Sequence, residues 1–170
     1  MKLRNAISAL AIALMICSGA FGQTGKSVKK MPAVKIKDID GKEVDISKIS
    51  NAGKPFVFMF WATWCGPCIK ELNNTADVYE DWQKETGVQI YAVSIDDSRA
   101  SSRIKPFVEG KRWDYTILLD PNQELMRAVG FSNPPYTILC NGAGEIVWTH
   151  NSYVDGDEYE LEEKIKEVAQ

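Results

Sequence analysis

Two cysteines with two residues between them, in the run Trp64-Cys65-Gly66-Pro67-Cys68, are the residues of this chain best suited to chemistry. They follow the apolar run Phe56 to Trp61 and open a segment with helical periodicity. A dithiol on a strand-to-helix turn is the arrangement that thiol–disulfide exchange requires. Sulfurs at i and i+3 can close a small disulfide at the mouth of a helix. Cys65 would sit at the helix N-terminus, where unpaired N–H groups and the macrodipole favour its thiolate. Pro67 suits a first helical turn, where its missing N–H costs nothing. Cys68 lies deeper and more shielded. The asymmetry makes Cys65 the attacking sulfur and Cys68 the resolving one. The plainer readings are a structural disulfide or half of a zinc site. Structural zinc takes four ligands, and only Cys140 and His150 remain downstream, so no metal is expected.

The elements around this pair follow from periodicity. Val34 to Ile46 alternates about an Asp40-Gly41 turn and reads as a hairpin. Phe56 to Trp61 is continuously apolar, as a central strand buried on both faces would be. After the CxxC, Ile69, Leu72, Ala76, Tyr79 and Trp82 form one helical stripe and read as core. Val88 to Ile95 is a strand. Ser98 to Gly110 is helical, with Pro106 best fitted by a start near Ser102. A strand over 115–119 precedes Asp120-Pro121-Asn122-Gln123, which reads as a helix start with a cap, proline at N1 and Gln at N3. That helix carries Leu125, Met126 and Val129 and stops at Gly130. Asn133-Pro134-Pro135 leads into a hairpin of strands 136–140 and 145–149. A last amphipathic helix covers 155–170. The order implies an α/β fold with a mixed central sheet, helices on both faces and an added N-terminal β-hairpin.

The first 22 residues read as a secretory signal: Lys2 and Arg4, the apolar stretch Ala6 to Ile16, and Ala20-Phe21-Gly22 before a cut at Gln23. Cys17 offers a lipid tether as an alternative, although Ile16 is large for the residue before a lipidated cysteine; an uncleaved membrane anchor is the third option. Residues 23–32 read as a flexible lead-in and 33–170 as one domain. Removing Lys2 and Arg4 leaves 18 basic against 23 acidic residues, a net charge of −5. With no basic patch interleaved with aromatics, nucleic acid is not an expected partner. Cys65, Cys68 and Cys140 would remain, an odd number that argues against a disulfide framework. Cys140, in the run Thr137-Ile138-Leu139-Cys140, reads as a small buried hydrophobe.

Phe60 to Cys68, with Pro135 before the final hairpin, resembles the active-site strand, loop and cis-proline of thioredoxins. The N-terminal hairpin, the longer segment from Asp96 to Asp120 and the export signal resemble the extracytoplasmic TlpA/ResA-type thiol–disulfide oxidoreductases. The resemblance implies a thioredoxin-like fold over roughly 33–170. It also implies a dithiol reductase of protein disulfides, acting through a mixed disulfide and using no cofactor. Cytochrome c maturation is one setting it allows. Electrons would come from a membrane thiol transporter to an exported, periplasmic monomer. It makes Pro134 and Pro135, with Trp64, Gly66 and Pro67, the expected substrate-docking residues. Pro134 has no N–H to pair with a substrate backbone. It further implies that Glu71, one turn beyond Cys68, handles the proton of that thiol; a dipole-complementing glutamate is the plainer reading. Thioredoxin's buried aspartate, six residues before the first cysteine, is replaced by Met59. Two other readings stay open. A Cu(I)-binding assembly protein would use the cysteines and His150. A thiol peroxidase would want a threonine three residues before Cys65, where Ala62 stands and Thr63 is one place late.

Overall fold

The computed structural model describes residues 29–170. The expected signal and Cys17 lie outside the described residues. The chain runs β1 (Lys35–Asp38), β2 (Glu43–Asp45), a 3-10 turn (Ile46–Lys48), β3 (Phe56–Trp61), α1 (Gly66–Thr86), β4 (Gln89–Ser94) and α2 (Ser101–Glu109). It continues with β5 (Thr116–Leu119), α3 (Glu124–Val129), β6 (Tyr136–Cys140), β7 (Ile146–Asn151) and α4 (Asp157–Ala169). The strands form one seven-stranded sheet in the order β2-β1-β5-β4-β3-β6-β7. β3, β4 and β5 are parallel, and the remaining pairings are antiparallel. This is a thioredoxin-like sheet extended by the expected N-terminal hairpin.

β3 sits near the centre, and every side chain in it is buried. Consecutive strand residues point to opposite faces. Phe60 meets Phe131, just past α3, edge-on at 4.8 Å, while Trp61 stacks on Phe107 of α2 at 5.7 Å. Both faces of the sheet are therefore covered, as the unbroken apolar run demands. The predicted stripe of α1 is where the helix meets the core: Leu72, Tyr79 and Trp82 are buried. Its C-terminus closes on Gly87 at φ 70°, a left-handed position where glycine carries no Cβ penalty.

Several boundaries differ from the sequence reading for physical reasons. Packing extends back before Ala33: Met31 is buried, and Lys30 bridges Glu145 beside β7. α2 starts at Ser101, with Asp97 accepting from the backbone of Arg99 and Ala100 just before it, so Pro106 is its sixth residue and not a first-turn proline. α3 starts later than the Asp120-Pro121 signal suggested. Pro121 and Asn122 form a turn closed by Gln123 N–H to Asp120 O at 2.9 Å, and Gln123 is left-handed. Asp120 still caps the helix, but from further back: its carboxylate accepts from Glu124 N at 2.8 Å and Met126 N at 2.9 Å. β7 runs to Asn151 and α4 begins at Asp157, two residues past each expected boundary.

Candidate active site

The site lies at the C-terminal end of β3, where the chain turns into α1. Cys65 N–H donates to Ala62 O at 3.0 Å, closing a tight turn through Thr63 and Trp64. Cys65 is the N-cap of α1 in an extended conformation. Its sulfur accepts from Cys68 N–H at 3.3 Å, the place a capping oxygen would take. A sulfur there meets the positive end of a 21-residue helix, which favours its thiolate once reduced. Pro67 lies in the first turn as expected. Cys65 and Cys68 are joined as a disulfide with Cα atoms 5.3 Å apart. Cys65 retains 6% exposure and Cys68 none. Gly66 and Pro67 are exposed between them, and Trp64 stands out at 67%. Trp61 is fully buried beneath the loop.

The predicted prolines come to the same end of the sheet. β6 pairs antiparallel with β3 with Phe60 opposite Tyr136, so Pro135 falls beside Trp61, next to the emerging active-site turn. The Pro134–Pro135 peptide bond is cis. Pro135 is buried and Pro134 partly so.

Glu71, one turn past Cys68, is buried at 6% exposure. Its one hydrogen-bond donor is the hydroxyl of Thr137, at 2.8 Å. Burial pushes its carboxyl up from 4.5 to about 8; the Thr137 hydrogen bond opposes this, and the charges of Asp157 and Glu158 add to it. Thr137 lies opposite Met59 in the β3–β6 ladder. The position vacated by an aspartate on β3 is thus apolar, and the buried carboxyl near the second cysteine comes from α1.

The sequence reading missed Asp96. Trp61 and Ser94 are partners in the parallel β3–β4 register, so the residues two further on, Thr63 and Asp96, emerge side by side. The buried Asp96 carboxylate accepts from Thr63 N at 2.9 Å, Thr63 Oγ1 at 2.7 Å and Ser94 Oγ at 2.9 Å. It pins the turn that presents Cys65. The register of two parallel strands was the signal, and one sequence does not display it. Thr63, the residue nearest to a peroxidase threonine, is thereby committed to Asp96. His150, the residue the copper reading needed, stacks on Trp148 at 5.4 Å and has its Nε2 within 3.1 Å of Asp157. Among the described residues no group of three or more His, Cys, Asp or Glu side chains could hold a metal ion. Cys140 is fully buried, and burial pushes its thiol up to about 12.

Comparison with known proteins agrees with this geometry. The family model described as AhpC/TSA matches residues 28–149. The chain is 32% identical over 117 residues to the thiol-disulfide oxidoreductase ResA of Bacillus subtilis (strain 168), covering 68% of this chain and 62% of that protein. It is 28% identical over 156 residues to the thiol-disulfide oxidoreductase ResA of Bacillus thuringiensis (strain Al Hakam), covering 85% of this chain and 87% of that one. The solution structure of an uncharacterized thioredoxin-like protein from Porphyromonas gingivalis superposes with a TM-score of 0.74 at 44% identity, covering 82% of this chain and 91% of that one.

Proposed function

The chain belongs to the AhpC/TSA family, with thiol–disulfide oxidoreductases among its relatives, and from that premise we propose that it is an exported dithiol reductase of protein disulfides. The observation that carries this reading is the asymmetric cysteine pair at the N-terminus of α1: Cys65 caps the helix and keeps 6% exposure, and Cys68 is fully sealed beneath it.

In the forward direction the Cys65 thiolate attacks a substrate disulfide. A bond forms from Cys65 Sγ to one substrate sulfur, and the other substrate sulfur leaves as a thiolate. Cys68 then attacks Cys65 Sγ, passing its proton to the Glu71 carboxylate as the second substrate sulfur leaves. In the return direction a donor dithiol opens the Cys65–Cys68 bond at Cys65. Cys68 leaves and recovers the proton that Glu71 holds. A carboxyl at about 8 is close to an ordinary thiol in proton affinity, so transfer in either direction is nearly level. Trp64, Gly66, Pro67, Pro134 and Pro135 form the docking surface, in which Pro134 offers only its carbonyl to a substrate backbone.

The leader-like segment 1–22 supports export to the periplasm. An exported reductase needs electrons from the cytoplasm, so its donor is a membrane thiol transporter. Apocytochrome c cysteines fit the substrate class, and a monomer suffices for the chemistry. The test is the reduction potential of the Cys65–Cys68 pair, measured in graded thiol/disulfide buffers with alkylation of free thiols. A value of about −250 mV or lower is expected; a value near about −120 mV would make the protein an oxidant and reverse the proposed direction.

A further inference from the structure

The turn that carries Cys65 is gripped by a buried acid to which the exchange chemistry gives no part. β3 and β4 stay in register to Trp61 and Ser94, and Ile95 N–H donates to Trp61 O at 2.9 Å just beyond. The chain then leaves the sheet, and the N–H of Thr63 needs an acceptor outside the strand ladder. Asp96 supplies it. One carboxyl oxygen accepts from Thr63 N and from Ser94 Oγ, both at 2.9 Å, and the other accepts from Thr63 Oγ1 at 2.7 Å. Thr63 is thus held by backbone and side chain together, by a residue only 1% exposed. The acid is itself anchored. Its own N–H donates to Ser94 Oγ at 3.2 Å, and Gln123 Nε2 donates to Ile95 O at 3.3 Å. On its other side Asp97 accepts from the N–H groups of Arg99 and Ala100 before α2.

From Thr63 the contacts run on to the sulfur without a gap. Thr63 is the second residue of the four-residue turn closed by Cys65 N–H to Ala62 O at 3.0 Å. Cys65, extended at φ −93° and ψ 94°, then places its Sγ 3.3 Å from Cys68 N as the cap of α1. Where that cap sits depends on where the turn delivers the backbone of Cys65. We propose that Asp96 is a positioning residue for the exchange: by gripping Thr63 it keeps the turn in the shape in which Cys65 Sγ caps α1, and so favours the attacking thiolate. The inference deepens the reading of Cys65 as the attacking sulfur and rests on it.

Geometry and charge pull in opposite directions at this place. A carboxylate acting on Cys65 through space disfavours a second negative charge. The same group acting through Thr63 favours the thiolate, because it keeps the helix N–H groups on the sulfur. The other charged groups of the flanking elements have partners of their own. Lys70 of α1 pairs with Asp155 at 2.6 Å, and Asp97 pairs with Arg99 at 2.7 Å. Glu71, one turn past Cys68, is buried and accepts from Thr137 of β6. Asp96 is the acid bonded directly to the turn.

The experiment follows ionisation of Cys65 in the reduced protein, from the pH dependence of its labelling by iodoacetamide, with the labelled cysteine identified by mass spectrometry. Thr63→Val keeps the N–H and the size of the side chain and removes the hydroxyl. It is expected to raise the Cys65 midpoint, lowering the acid dissociation constant about fivefold, as for losing part of one helix-cap interaction. Thr63→Ser keeps the hydroxyl and is expected to restore the wild-type midpoint. Asp96→Asn keeps one acceptor oxygen and is expected to raise the midpoint as well. A midpoint that stays at the wild-type value in Thr63→Val, with native spectra, shows a purely structural contact and overturns the proposal. A midpoint that falls in Asp96→Asn shows a through-space charge effect and overturns it too. Should Asp96→Asn fail to fold, Thr63→Val decides alone, since it removes one bond from a half-buried side chain. Failure of the reductase reading shows elsewhere: wild-type protein would not reduce insulin disulfides, whatever the midpoint.

Discussion

Cys65 and Cys140 sit at opposite ends of β3 and its partner β6. Cys65 follows the turn that leaves β3, and Cys140 lies opposite Phe56 at the other end. Both sulfurs are nearly hidden, at 6% and 0% exposure. What separates them is the set of donors they meet. Cys65 accepts a backbone N–H at the positive end of a long helix, and a bonded partner lies one turn away. Cys140 is surrounded by strand side chains, and its thiol is pushed up to about 12 by burial alone. Accessible area therefore does not sort reactive from inert cysteines here. The backbone around the sulfur does, because only a stabilised thiolate attacks.

The strongest way to break that comparison is to remove the attacking sulfur. Cys65→Ser is expected to drop disulfide reduction to the uncatalysed background, measured as insulin reduction with a chemical donor. Cys68→Ser is expected to accumulate a covalent adduct with a substrate cysteine, visible on non-reducing gels and reversed by dithiothreitol. Peroxide consumption surviving in Cys68→Ser would point to the peroxidase reading instead.

The next effect down is Glu71→Gln, expected to slow the resolving step about 100-fold, the ordinary contribution of one proton-transfer group. The same variant carries a stability signature of definite sign. The folded-state value of about 8 lies above the unfolded 4.5, so the folded protein holds the extra proton between those limits. Wild-type stability contributed by this group is present below pH 4.5 and falls as pH rises through about 8. Each tenfold difference in proton affinity is worth about 1.4 kcal/mol, which makes the whole loss on the order of 5 kcal/mol. Glu71→Gln should flatten this fall in urea unfolding of the oxidised protein. An equally steep fall in the variant would place the proton elsewhere.

What the sequence made legible divides along the same lines. Reactive geometry was local: Cys65, Pro67, Cys68 and Glu71 lie within seven residues on one strand-to-helix turn, so helical spacing alone places them. The sheet was legible because β3 is apolar throughout and its neighbours alternate with turn residues. What stayed hidden depended on register. Thr137 meets Glu71, and Asp96 meets Thr63, only because β3 pairs with β6 and β4 in one alignment and not another. Slipping either strand by one residue would send those side chains to the other face, and a single sequence carries no mark of which register wins. The late start of α3 has the same origin in reverse: Pro121 matched a first-turn rule, but Asp120 reaches the helix N–H groups across a separate turn.

The smallest effect comes from the inert end, and it completes the comparison. Cys140→Ser places a hydroxyl where the thiol is fully buried and, among the described residues, meets no hydrogen-bond partner. A buried hydroxyl without a partner costs about 2 kcal/mol, so the urea midpoint should move to lower concentration. Insulin reduction, by contrast, should keep its wild-type rate, since Cys140 lies a full strand length from the exchanging pair. Cys140 should also resist iodoacetamide in the folded, reduced protein and react once urea unfolds it, while Cys65 reacts at once. Rapid labelling of Cys140 in the native state, or a Cys140→Ser variant with slowed exchange and unchanged stability, would show that the two ends of β3 are chemically coupled and that donor geometry is not what separates them.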